Sequence, residues 1–435
     1  MLQLDLSADD LVRGLLGRAA EDDVCILDSC GVGTLGSHLI FAGLHPVETL
    51  EFDGPPNEAL KELESRVGGD KAVIFTLSYE LGNHLQNVPS RHAGSAEPLV
   101  FMSVFDTIAI HDHTRGATTV AGREAAGFAD AVRSADFNPR PITSAAEYRS
   151  DRTRREYVDS IEAIKERIRS GDTYQTNLTR RIEVEMPEGL TAESVFWRLR
   201  RDNPAPFAAF IKRVDSTVIS ASPERFFKVE NGIISASPIK GTEARGATAA
   251  EDAMLRNSLL ASQKDRAENT MIVDLLRNDL GRICEFGSVE VKDLCRIEEH
   301  PSLFHLVSTI EGRLRAGIGL RDMLLSLYPC GSITGAPKIS TMRIIDEAEG
   351  SPRGLSMGAV GYWLPSSFGL GERLDLSVAI RTAVVRGRSA VFNVGGGIVI
   401  DSDPDTEWDE TVVKSRALLE AFGADIRELS GGHGV

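Results

Sequence analysis

The chain has 435 residues, 42% of them hydrophobic and 26% charged, and carries a formal net charge of −16. These values are typical of a globular protein in water. The acidic balance and the lack of a long Lys/Arg run argue against nucleic acid as a partner. No apolar run approaches the ~18 residues of a membrane span, so no membrane partner is expected. The acidic N-terminus, MLQLDLSADD, does not resemble a signal peptide.

The five cysteines are odd in number and show no CxxC spacing. They favour reduced thiols in a cytoplasmic protein over a disulfide framework or a zinc site. The histidines are scattered along the chain and show no metal-binding spacing.

Residues 1–110 alternate short apolar runs with turn residues, which predicts an antiparallel sheet with few helices. Residues 111–151 are polar, rich in Ala and Arg and poor in large apolar residues, so we expect a connector with one helix. The second part spans residues 152–425, and residues 426–435 are expected to form a frayed tail.

The second part begins with an amphipathic helix, TRREYVDSIEAIKERIRSGD, which should end at Gly171. Its apolar side chains recur at helical spacing and are Tyr157, Ile161, Ile164 and Ile168. Several short β-branched strands should follow, then a long helix over about 251–282 and a last helix from Pro404. Runs of strands separated by a few long helices indicate an α+β protein.

One lysine stands in an unusual setting. The stretch SASPIKGTEARG, residues 235–246, places Lys240 between a Pro-Ile and a Gly-Thr pair. The residues IISAS predict a strand, and Pro238 and Gly241 predict that the chain leaves the sheet and turns at Lys240. Taken alone, the pattern is typical of a solvated loop lysine.

Two predicted helices carry the same acidic arrangement. In KDRAENTMIVDLLRND, Asp265 and Glu268 are three residues apart; in DSDPDTEWDETVVKSRALL the same holds for Glu407 and Glu410, with Lys414 four residues further on. Residues at i and i+3 share a helix face. If the helices face each other, four carboxylates converge and need a hard cation, and oxygen-only ligands favour Mg²⁺. Otherwise these residues are solvated charge pairs.

Two glycine-rich stretches, PCGSITGAPKIS (329–340) and NVGGGIVIDSD (393–403), predict turns. They fit neither a Walker loop nor a dinucleotide motif, but their backbone N–H groups could hold an anion; both could equally be ordinary tight turns. Arg381 in LSVAIRTAVV is predicted to lie inside an apolar strand. Because burying an unpaired guanidinium is costly, we expect it to meet a carboxylate of the protein or of a ligand.

A few further polar residues could serve a site. Glu224 follows a proline at a predicted strand end, where either a general acid or an ordinary turn residue would fit. Gln175 and Asn177 lie in GDTYQTNLT. His305 precedes an apolar strand, a position more typical of a core residue than of a catalyst.

Together these stretches resemble the chorismate-utilising enzymes, which include component I of anthranilate synthase and of aminodeoxychorismate synthase, isochorismate synthase and salicylate synthase. The resemblance is strongest over residues 155–419, through GDTYQTNL, SPERF, PIKGT, AENTMIVDLLRNDLGRI, HLVSTIEG, GSITGAPK, GAVGY, AIRT and GGGIVIDSDPDTEWDETVVKSRAL. It is looser through LDSCG, FTLSYELG and FDTIAIHD. It implies a two-lobed α+β fold of the anthranilate synthase component I type, with large antiparallel sheets stacked in the centre, helices outside and the active site between the lobes.

The resemblance also implies a metal site and a substrate site. Glu268 and Glu410 would bind Mg²⁺, with Asp265 and Glu407 behind them, and the metal would hold the ring carboxylate of chorismate. The residues implied to bind or line the substrate are Gln175, Gly241, Thr242, His305, Thr334, Arg381, Gly395, Gly396, Gly397 and Lys414. Among these, Arg381 and the three consecutive glycines would take the pyruvyl carboxylate.

Lys240 stands where aminodeoxychorismate synthases read PIKGT and anthranilate synthases usually read PIAGT. In the mechanism that this resemblance implies, the neutral lysine amine attacks C2 of chorismate and the C4 hydroxyl leaves; ammonia then adds at C4 and expels the lysine. Glu224 matches the general acid that protonates the leaving hydroxyl. Gln175 occupies the place of a water-activating lysine in isochorismate and salicylate synthases, which disfavours water as the nucleophile.

The activity implied is that of an aminodeoxychorismate synthase component I, which makes 4-amino-4-deoxychorismate for para-aminobenzoate and folate synthesis. The alternatives are an anthranilate synthase component I and a non-catalytic regulatory homologue. No cysteine lies in the GxCxG elbow of a glutamine amidotransferase, so ammonia would come from a separate glutaminase subunit. One departure from the family pattern is Ser356 in RGLSMGAV, where a tyrosine is frequent.

Overall fold

The computed structural model describes residues 1–33, 35–92, 97–299 and 303–425. These residues form two large β-sheets, of twelve and ten strands, in which the strand pairings are antiparallel. The predicted tail, 426–435, lies outside the described residues.

In chain order the helices of the described residues are α1 (Ala8–Arg18), α2 (Pro56–Arg66), α3 (Tyr79–Leu85), α4 (Ala125–Ser134), α5 (Arg154–Arg169), α6 (Ala192–Asp202), α7 (Ala249–Ala261), α8 (Gln263–Gly281), α9 (Leu320–Leu327), α10 (Lys338–Ala348) and α11 (Pro404–Phe422). Short 3₁₀ helices cover Gly331–Ile333 and Ser366–Phe368.

The strands are β1 (Leu2–Leu4), β2 (Val24–Asp28), β3 (Leu39–Leu44), β4 (Glu48–Phe52), β5 (Ala72–Leu77), β6 (Val100–Phe105), β7 (Thr107–Asp112), β8 (Ala117–Gly122), β9 (Glu147–Ser150), β10 (Gln175–Glu185), β11 (Phe207–Lys212), β12 (Thr217–Ser222), β13 (Arg225–Glu230), β14 (Ile233–Ser237), β15 (Ile239–Ala244), β16 (Glu290–Glu299), β17 (Leu303–Arg313), β18 (Gly335–Ala336), β19 (Ala359–Leu364), β20 (Arg373–Val378), β21 (Thr382–Arg386) and β22 (Ser389–Ile398). The twelve-stranded sheet has the order β1-β8-β7-β3-β2-β11-β12-β21-β22-β10-β18, with β9 also paired to β10. The ten-stranded sheet has the order β15-β17-β14-β13-β20-β19-β5-β6-β4, with β16 also paired to β17.

The two sheets face each other across an apolar layer. Phe41 of β3 and Tyr362 of β19 meet there with ring centroids 4.5 Å apart, although they belong to different sheets. Alternate residues of each strand point the other way, where α1, α4, α6 and α11 cover the twelve-stranded sheet and α2, α8 and α9 cover the ten-stranded one. This arrangement confirms the predicted α+β fold with stacked sheets inside and helices outside.

Local signals explain where the helices begin. Thr153 and Glu156 form a capping box at the start of α5, and the side chain of Asp403 caps α11 one residue before Pro404. The long helix predicted over 251–282 was wrong as a single element. It is two helices, because Ser262 ends α7 and caps α8, its side chain accepting a hydrogen bond from the N–H of Asp265.

The predicted connector, 111–151, contains β8, α4 and β9, and both strands pair within the twelve-stranded sheet. Strands from before and after this segment share both sheets and meet once in each, β2 beside β11 in one and β5 beside β19 in the other. The division of the chain into regions at residues 110 and 151 therefore stays a prediction.

Each of the five cysteines has a free thiol. Among the helices of the described residues, none is both long and apolar enough to cross a membrane.

Candidate active site

The two acidic helices lie close together. The ammonium group of Lys264, on α8, is 3.6 Å from Oε1 of Glu407, on α11. The carboxylates of Glu268 and Glu410 also lie near enough to Lys264 to raise its pKa, against the effect of its burial. The condition set by the sequence, that these helices face each other, is therefore met.

Burial is the largest influence on Glu268 and raises its pKa, while the positive charges of Lys240 and Lys264 oppose the shift. The like charges of Asp265 and Glu407 add to the increase. Burial acts in the same direction on Glu410, but the ion pair with Lys414, 2.6 Å away, outweighs it and lowers the pKa. Repulsion between the helices is therefore relieved in part by lysines.

The carboxylates of Glu268 and Glu410 are oxygen ligands, which suit a hard cation such as Mg²⁺. The expected convergence of four carboxylates is not found, because within the described ranges no three Asp, Glu, His or Cys side chains lie close enough to hold a metal ion by themselves. Glu268 and Glu410 could supply one carboxylate from each helix, and Mg²⁺ commonly completes its shell with water and substrate oxygens. The raised pKa of Glu268 means that burial disfavours its charged form, and a bound cation would stabilise that form.

The carboxylates behind this pair are held differently. Glu407 is 3% exposed and accepts a hydrogen bond from Ser402 Oγ at 2.7 Å. Asp265 packs against Gly241, where a Cβ would lie 2.9 Å from its carboxyl carbon, and Gly241 has a φ of +74°. Glycine is therefore needed at 241 both for conformation and for space.

Lys240 does not stand at a turn, so that prediction was wrong. It lies in β15, which continues along the same partner strand, β17, that pairs with β14. The pairing shifts register between Lys240 and Thr242, because Gly241 forms a bulge. The bulge, rather than a chain reversal, accounts for the glycine after Lys240.

The amine of Lys240 lies near a buried acid. Its Nζ is 3.5 Å from the carbonyl oxygen of Ser332. Its charge acts on Glu224, Glu268 and Glu410. Lys240 is thus close both to the acidic helices and to the loop 329–334.

Glu224 lies between β12 and β13 and is 5% exposed. Burial raises its pKa, although a hydrogen bond with the Ser332 side chain and the charge of Lys240 oppose the shift. Its Oε1 is buried and has no hydrogen-bond partner among the described residues. A buried carboxyl group with a raised pKa and one oxygen without a partner could act as a proton donor to a ligand.

Arg381 is not inside a strand, contrary to the prediction. The run LSVAIRTAVV leaves the ten-stranded sheet at the end of β20 and enters the twelve-stranded sheet at β21, and Arg381 is in this crossing with a φ of +49°. The described residues supply it with no carboxylate, and burial lowers its pKa. Of the two partners that the sequence allowed, this arrangement favours a ligand.

The glycines of NVGGGIVID do not form a turn either. Gly395, Gly396 and Gly397 belong to β22 and pair with β10, whereas β21 pairs with β22 only further back, at Ser389–Val391. Among the described residues, one edge of β22 therefore has no strand beside it at these glycines. Added Cβ atoms would lie 3.0 Å from Glu407 Oε2 at Gly396 and 2.0 Å from Gln175 Nε2 at Gly397. Glycine at these two positions therefore lets the side chains of Glu407 and Gln175 approach β22.

The remaining predicted residues surround this edge. Gln175 is 1% exposed and its Oε1 has no partner within the described part of the chain. Thr334 is fully buried and donates to the carbonyl of Cys330 at 2.9 Å. Lys414 Nζ donates to the carbonyl of Gly395 at 3.1 Å.

On the bulge side, Thr242 and His305 face each other across β15 and β17, with Thr242 Oγ1 2.9 Å from His305 Nδ1. His305 is 3% exposed. This burial agrees with the sequence interpretation of a core histidine, although its contact with Thr242 keeps it beside Lys240.

Two residues with a place in this site were not singled out from the sequence. Lys264 precedes Glu268 by four residues, a spacing that predicts contact on one helix face. Ser332 lies in the quoted glycine-rich stretch, but nothing local marks its carbonyl as a contact of Lys240, which lies 92 residues earlier. Ser356, the departure from the family pattern, accepts from the N–H of Asn393 at 2.9 Å, two residues before Gly395.

Comparison with known proteins agrees with this geometry. Residues 38–420 match the family described as chorismate binding enzyme. The chain belongs to this family. It is 35% identical over 418 residues to "Anthranilate synthase component 1 1" of Haloarcula marismortui, a match covering 88% of this chain and 84% of the relative. It is 36% identical over 424 residues to "Aminodeoxychorismate synthase component 1" of Salmonella typhimurium, covering 96% and 89%.

Among solved structures, anthranilate synthase component I from Streptococcus pneumoniae TIGR4 superimposes with a TM-score of 0.75 at 27% sequence identity, covering 88% of this chain and 92% of that chain. The family and the fold implied by the sequence motifs are therefore confirmed. The chain is 35% identical to the anthranilate synthase relative and 36% identical to the aminodeoxychorismate synthase relative. Sequence identity therefore does not distinguish between the two activities.

Proposed function

We propose that this protein is component I of an aminodeoxychorismate synthase, which converts chorismate and ammonia to 4-amino-4-deoxychorismate. The observation that carries the proposal is the position of Lys240, whose amine contacts the Ser332 carbonyl and is near enough for its charge to lower the pKa of the buried Glu224 and of Glu268. A loop lysine in solvent would have no such neighbours.

In the first step the neutral amine of Lys240 forms a bond to C2 of chorismate. The two conjugated ring double bonds each shift by one position, and the C4 hydroxyl leaves as water with a proton from Glu224. The raised pKa of Glu224 supports its role as the proton donor. The product of this step is a covalent adduct between Lys240 and the ring.

In the second step ammonia forms a bond to C4, both double bonds shift back, and the C2–nitrogen bond breaks to release Lys240. One proton from the added ammonia returns to Glu224, so both side chains are regenerated. Splitting one displacement into two is the benefit of a covalent intermediate.

The carboxylates of the substrate have separate candidate sites. Arg381, with no carboxylate partner among the described residues, and the unpaired edge of β22 at Gly395–Gly397 would bind the pyruvyl carboxylate. Thr334 and Gln175 border this edge. Lys414, Thr242 and His305 would line the side of the ring carboxylate.

Glu268 and Glu410 would hold Mg²⁺, with Asp265 and Glu407 behind them. When bound, the cation would neutralise the ring carboxylate. The chain's own part would be to offer one carboxylate from each of the two helices to the cation.

The nitrogen source would be ammonia delivered by a separate glutamine amidotransferase subunit, and the product would serve para-aminobenzoate and folate synthesis. This part of the proposal depends on the absence of a GxCxG cysteine from the sequence. The anthranilate synthase alternative has a specific basis, because relatives with that name match this chain about equally well.

Product mass distinguishes these functions. The purified chain, chorismate, Mg²⁺ and ammonium should yield a product that keeps the pyruvyl group and carries nitrogen in place of the C4 oxygen. Anthranilate as the product would contradict the proposal in favour of the alternative. Absence of any turnover, with folded protein and with the glutaminase subunit added, would favour a regulatory homologue.

The covalent step has its own test. Without ammonia, the intact mass should rise by that of chorismate less one water, and peptide mapping should place the addition on residues 235–246. Lys240→Ala should form no adduct and should make the C4 amine ~10²-fold more slowly. The control Lys292→Ala changes an exposed lysine on β16 and should behave as wild type. Normal C4 amination by Lys240→Ala would remove Lys240 from the mechanism.

A further inference from the structure

The edge of β10 that faces away from β22 is only partly covered by strands. β18 pairs with it at Gln175 and Thr176, and β9 pairs with it at Ile182–Glu185. Between these two stretches, no strand of the described residues pairs with the main chain at Asn177 and Thr179 on this edge. Because buried main-chain N–H and C=O groups need hydrogen-bond partners, other groups must supply them here.

A buried ion pair supplies these partners. Nη2 of Arg353 donates to the carbonyl of Asn177 at 2.7 Å, and Oε1 of Glu349 accepts from the N–H of Thr179 at 2.7 Å. Arg353 and Glu349 are joined by two hydrogen bonds, from Nε to Oε2 at 2.8 Å and from Nη2 to Oε1 at 2.7 Å. The two side chains are 1% and 4% exposed. The pair therefore takes the place of a neighbouring strand along this part of β10.

The same guanidinium also holds the loop 329–334. Nη1 of Arg353 donates at 2.8 Å to the carbonyl of Ile333, the last residue of a 3₁₀ helix in this loop. At the next residue, the carbonyl of Thr334 accepts from the N–H of Asn177 at 2.7 Å. One planar group with several fixed donors therefore joins the loop to β10, a geometry that a lysine ammonium cannot reproduce.

Arg353 is itself fixed from the other side. Its guanidinium carbon lies 4.5 Å from the ring centre of Tyr79, and its main-chain N–H donates to Oε1 of Glu80 at 2.9 Å. Tyr79 and Glu80 are the first two residues of α3. The position of Arg353 is thus set by α3 as well as by the loop and strand that it joins.

The loop and the strand are two walls of the candidate site. The carbonyl of Ser332, in the loop, lies 3.5 Å from Nζ of Lys240, and Thr334 is two residues further on. β10 in turn pairs with β22 at Gly395–Gly397. A change in the spacing between the loop and β10 would therefore move Thr334 relative to the three glycines.

We propose that Arg353 is a positioning residue that, together with Glu349, sets the spacing between the loop 329–334 and β10 and so shapes the place that receives the pyruvyl carboxylate. The inference rests on the proposed function, which assigns that carboxylate to Arg381 and the edge of β22. Because two main-chain carbonyls and Glu349 take its hydrogen bonds, Arg353 acts through the two walls and does not touch the substrate.

The test measures chorismate binding by titration calorimetry, with Mg²⁺ present and ammonia absent. The parent protein is Lys240→Ala, so that no covalent adduct can form. Arg353→Lys in this parent keeps the charge beside Glu349 but loses the planar fork that reaches both carbonyls. Binding must then restore the spacing, so the Kd for chorismate should rise about 10-fold, roughly the worth of one hydrogen bond to a charged group.

Arg200→Lys in the same parent is the matched control. Arg200, on α6, is also a largely buried guanidinium paired with a buried carboxylate, with Nε 2.6 Å from Oδ2 of Asp28. Its hydrogen bonds go to Asp28 and Asp9, which belong to neither wall of the site. Its Kd for chorismate should equal that of the parent, even where denaturant unfolding shows lower stability. An equal rise in both variants would trace the effect to stability and overturn the inference.

The remaining outcomes separate this inference from the proposed function. If Arg353→Lys fails to fold, Glu349→Gln, which keeps an oxygen for Thr179 but loses the charge, should raise the Kd by a smaller factor. An unchanged Kd in whichever variant folds would overturn the role of Arg353, and a parent that binds no chorismate would overturn it together with the carboxylate site. Anthranilate as the wild-type product would refute the proposed function alone, because the binding comparison does not depend on the product.

Discussion

Alanine at Gly395 should disrupt the pairing of β10 with β22. The added Cβ would lie 2.0 Å from the carbonyl oxygen of Leu178, whereas ordinary contact begins at 3.4 Å, so the strands must separate by roughly 1.4 Å. The obstacle is backbone and cannot rotate away. Losing two ladder hydrogen bonds at ~1 kcal/mol each, together with ~1–3 kcal/mol of overpacking, lowers the free energy of unfolding by about 3 kcal/mol or more.

Alanine two residues later should act differently. At Gly397 the nearest atom, also at 2.0 Å, is Nε2 of the Gln175 side chain. A side-chain amide can move where a main-chain carbonyl cannot, so this variant should lose less stability. The displaced amide should instead raise KM for chorismate, because it would enter the space beside the edge of β22.

Denaturant unfolding followed by circular dichroism measures the first effect, and steady-state kinetics the second. Gly281→Ala is the control, because its added Cβ would have no neighbour within 4 Å. An unfolding midpoint for Gly395→Ala equal to that of the wild type would show that the close approach of β10 and β22 does not constrain this position.

Three further outcomes are expected. Glu268→Gln should weaken Mg²⁺ binding, measured by calorimetry, and nearly abolish turnover. Asp265→Asn should lower turnover only ~10–100-fold. Wild-type Mg²⁺ affinity in Glu268→Gln would disprove the assignment of Glu268 as a ligand. With ammonium as the nitrogen source, turnover by the isolated chain should rise with pH as free NH₃ increases, and glutamine should not replace it; efficient glutamine use would contradict this. Burial raises the pKa of Glu80 from 4.5 to about 7, so unfolding free energy should fall as pH rises between these values. Glu80→Gln should flatten that part of the profile, and an unchanged slope would argue against a titrating Glu80.

Much of the fold follows from local patterns in the sequence. The start of α11 was predictable because Asp403 and Pro404 are adjacent and act through their immediate neighbours. The i, i+3 spacing correctly placed two carboxylates on one face of each acidic helix. The break at Ser262 was not predictable in the same way, since serine is also tolerated inside helices and only its two capping contacts reveal the boundary.

The wrong predictions share one physical cause. Each local sequence is compatible with two structures, and contacts with residues distant in sequence decide which one forms. Gly395–Gly397 would suit a turn, but Leu178 and Gln175 approach them, and the residues form a strand. Gly241 would suit a chain reversal, but pairing with β17 makes it a bulge. Nothing local marks the place of Ser332 in the site, because Lys240, which its carbonyl contacts, lies 92 residues earlier in the chain.

Each sheet is completed by strands from both parts of the chain, and this has a consequence for biosynthesis. β5 pairs with β19, and the chain between them must be made before this pairing can form. A nascent chain that ends near residue 151 would expose unpaired edges at β2 and at β5, both of which have buried, apolar side chains. Such edges favour association between unfinished chains, and pairings this distant in sequence form slowly. Native assembly of the two sheets therefore waits for translation of the last third of the protein.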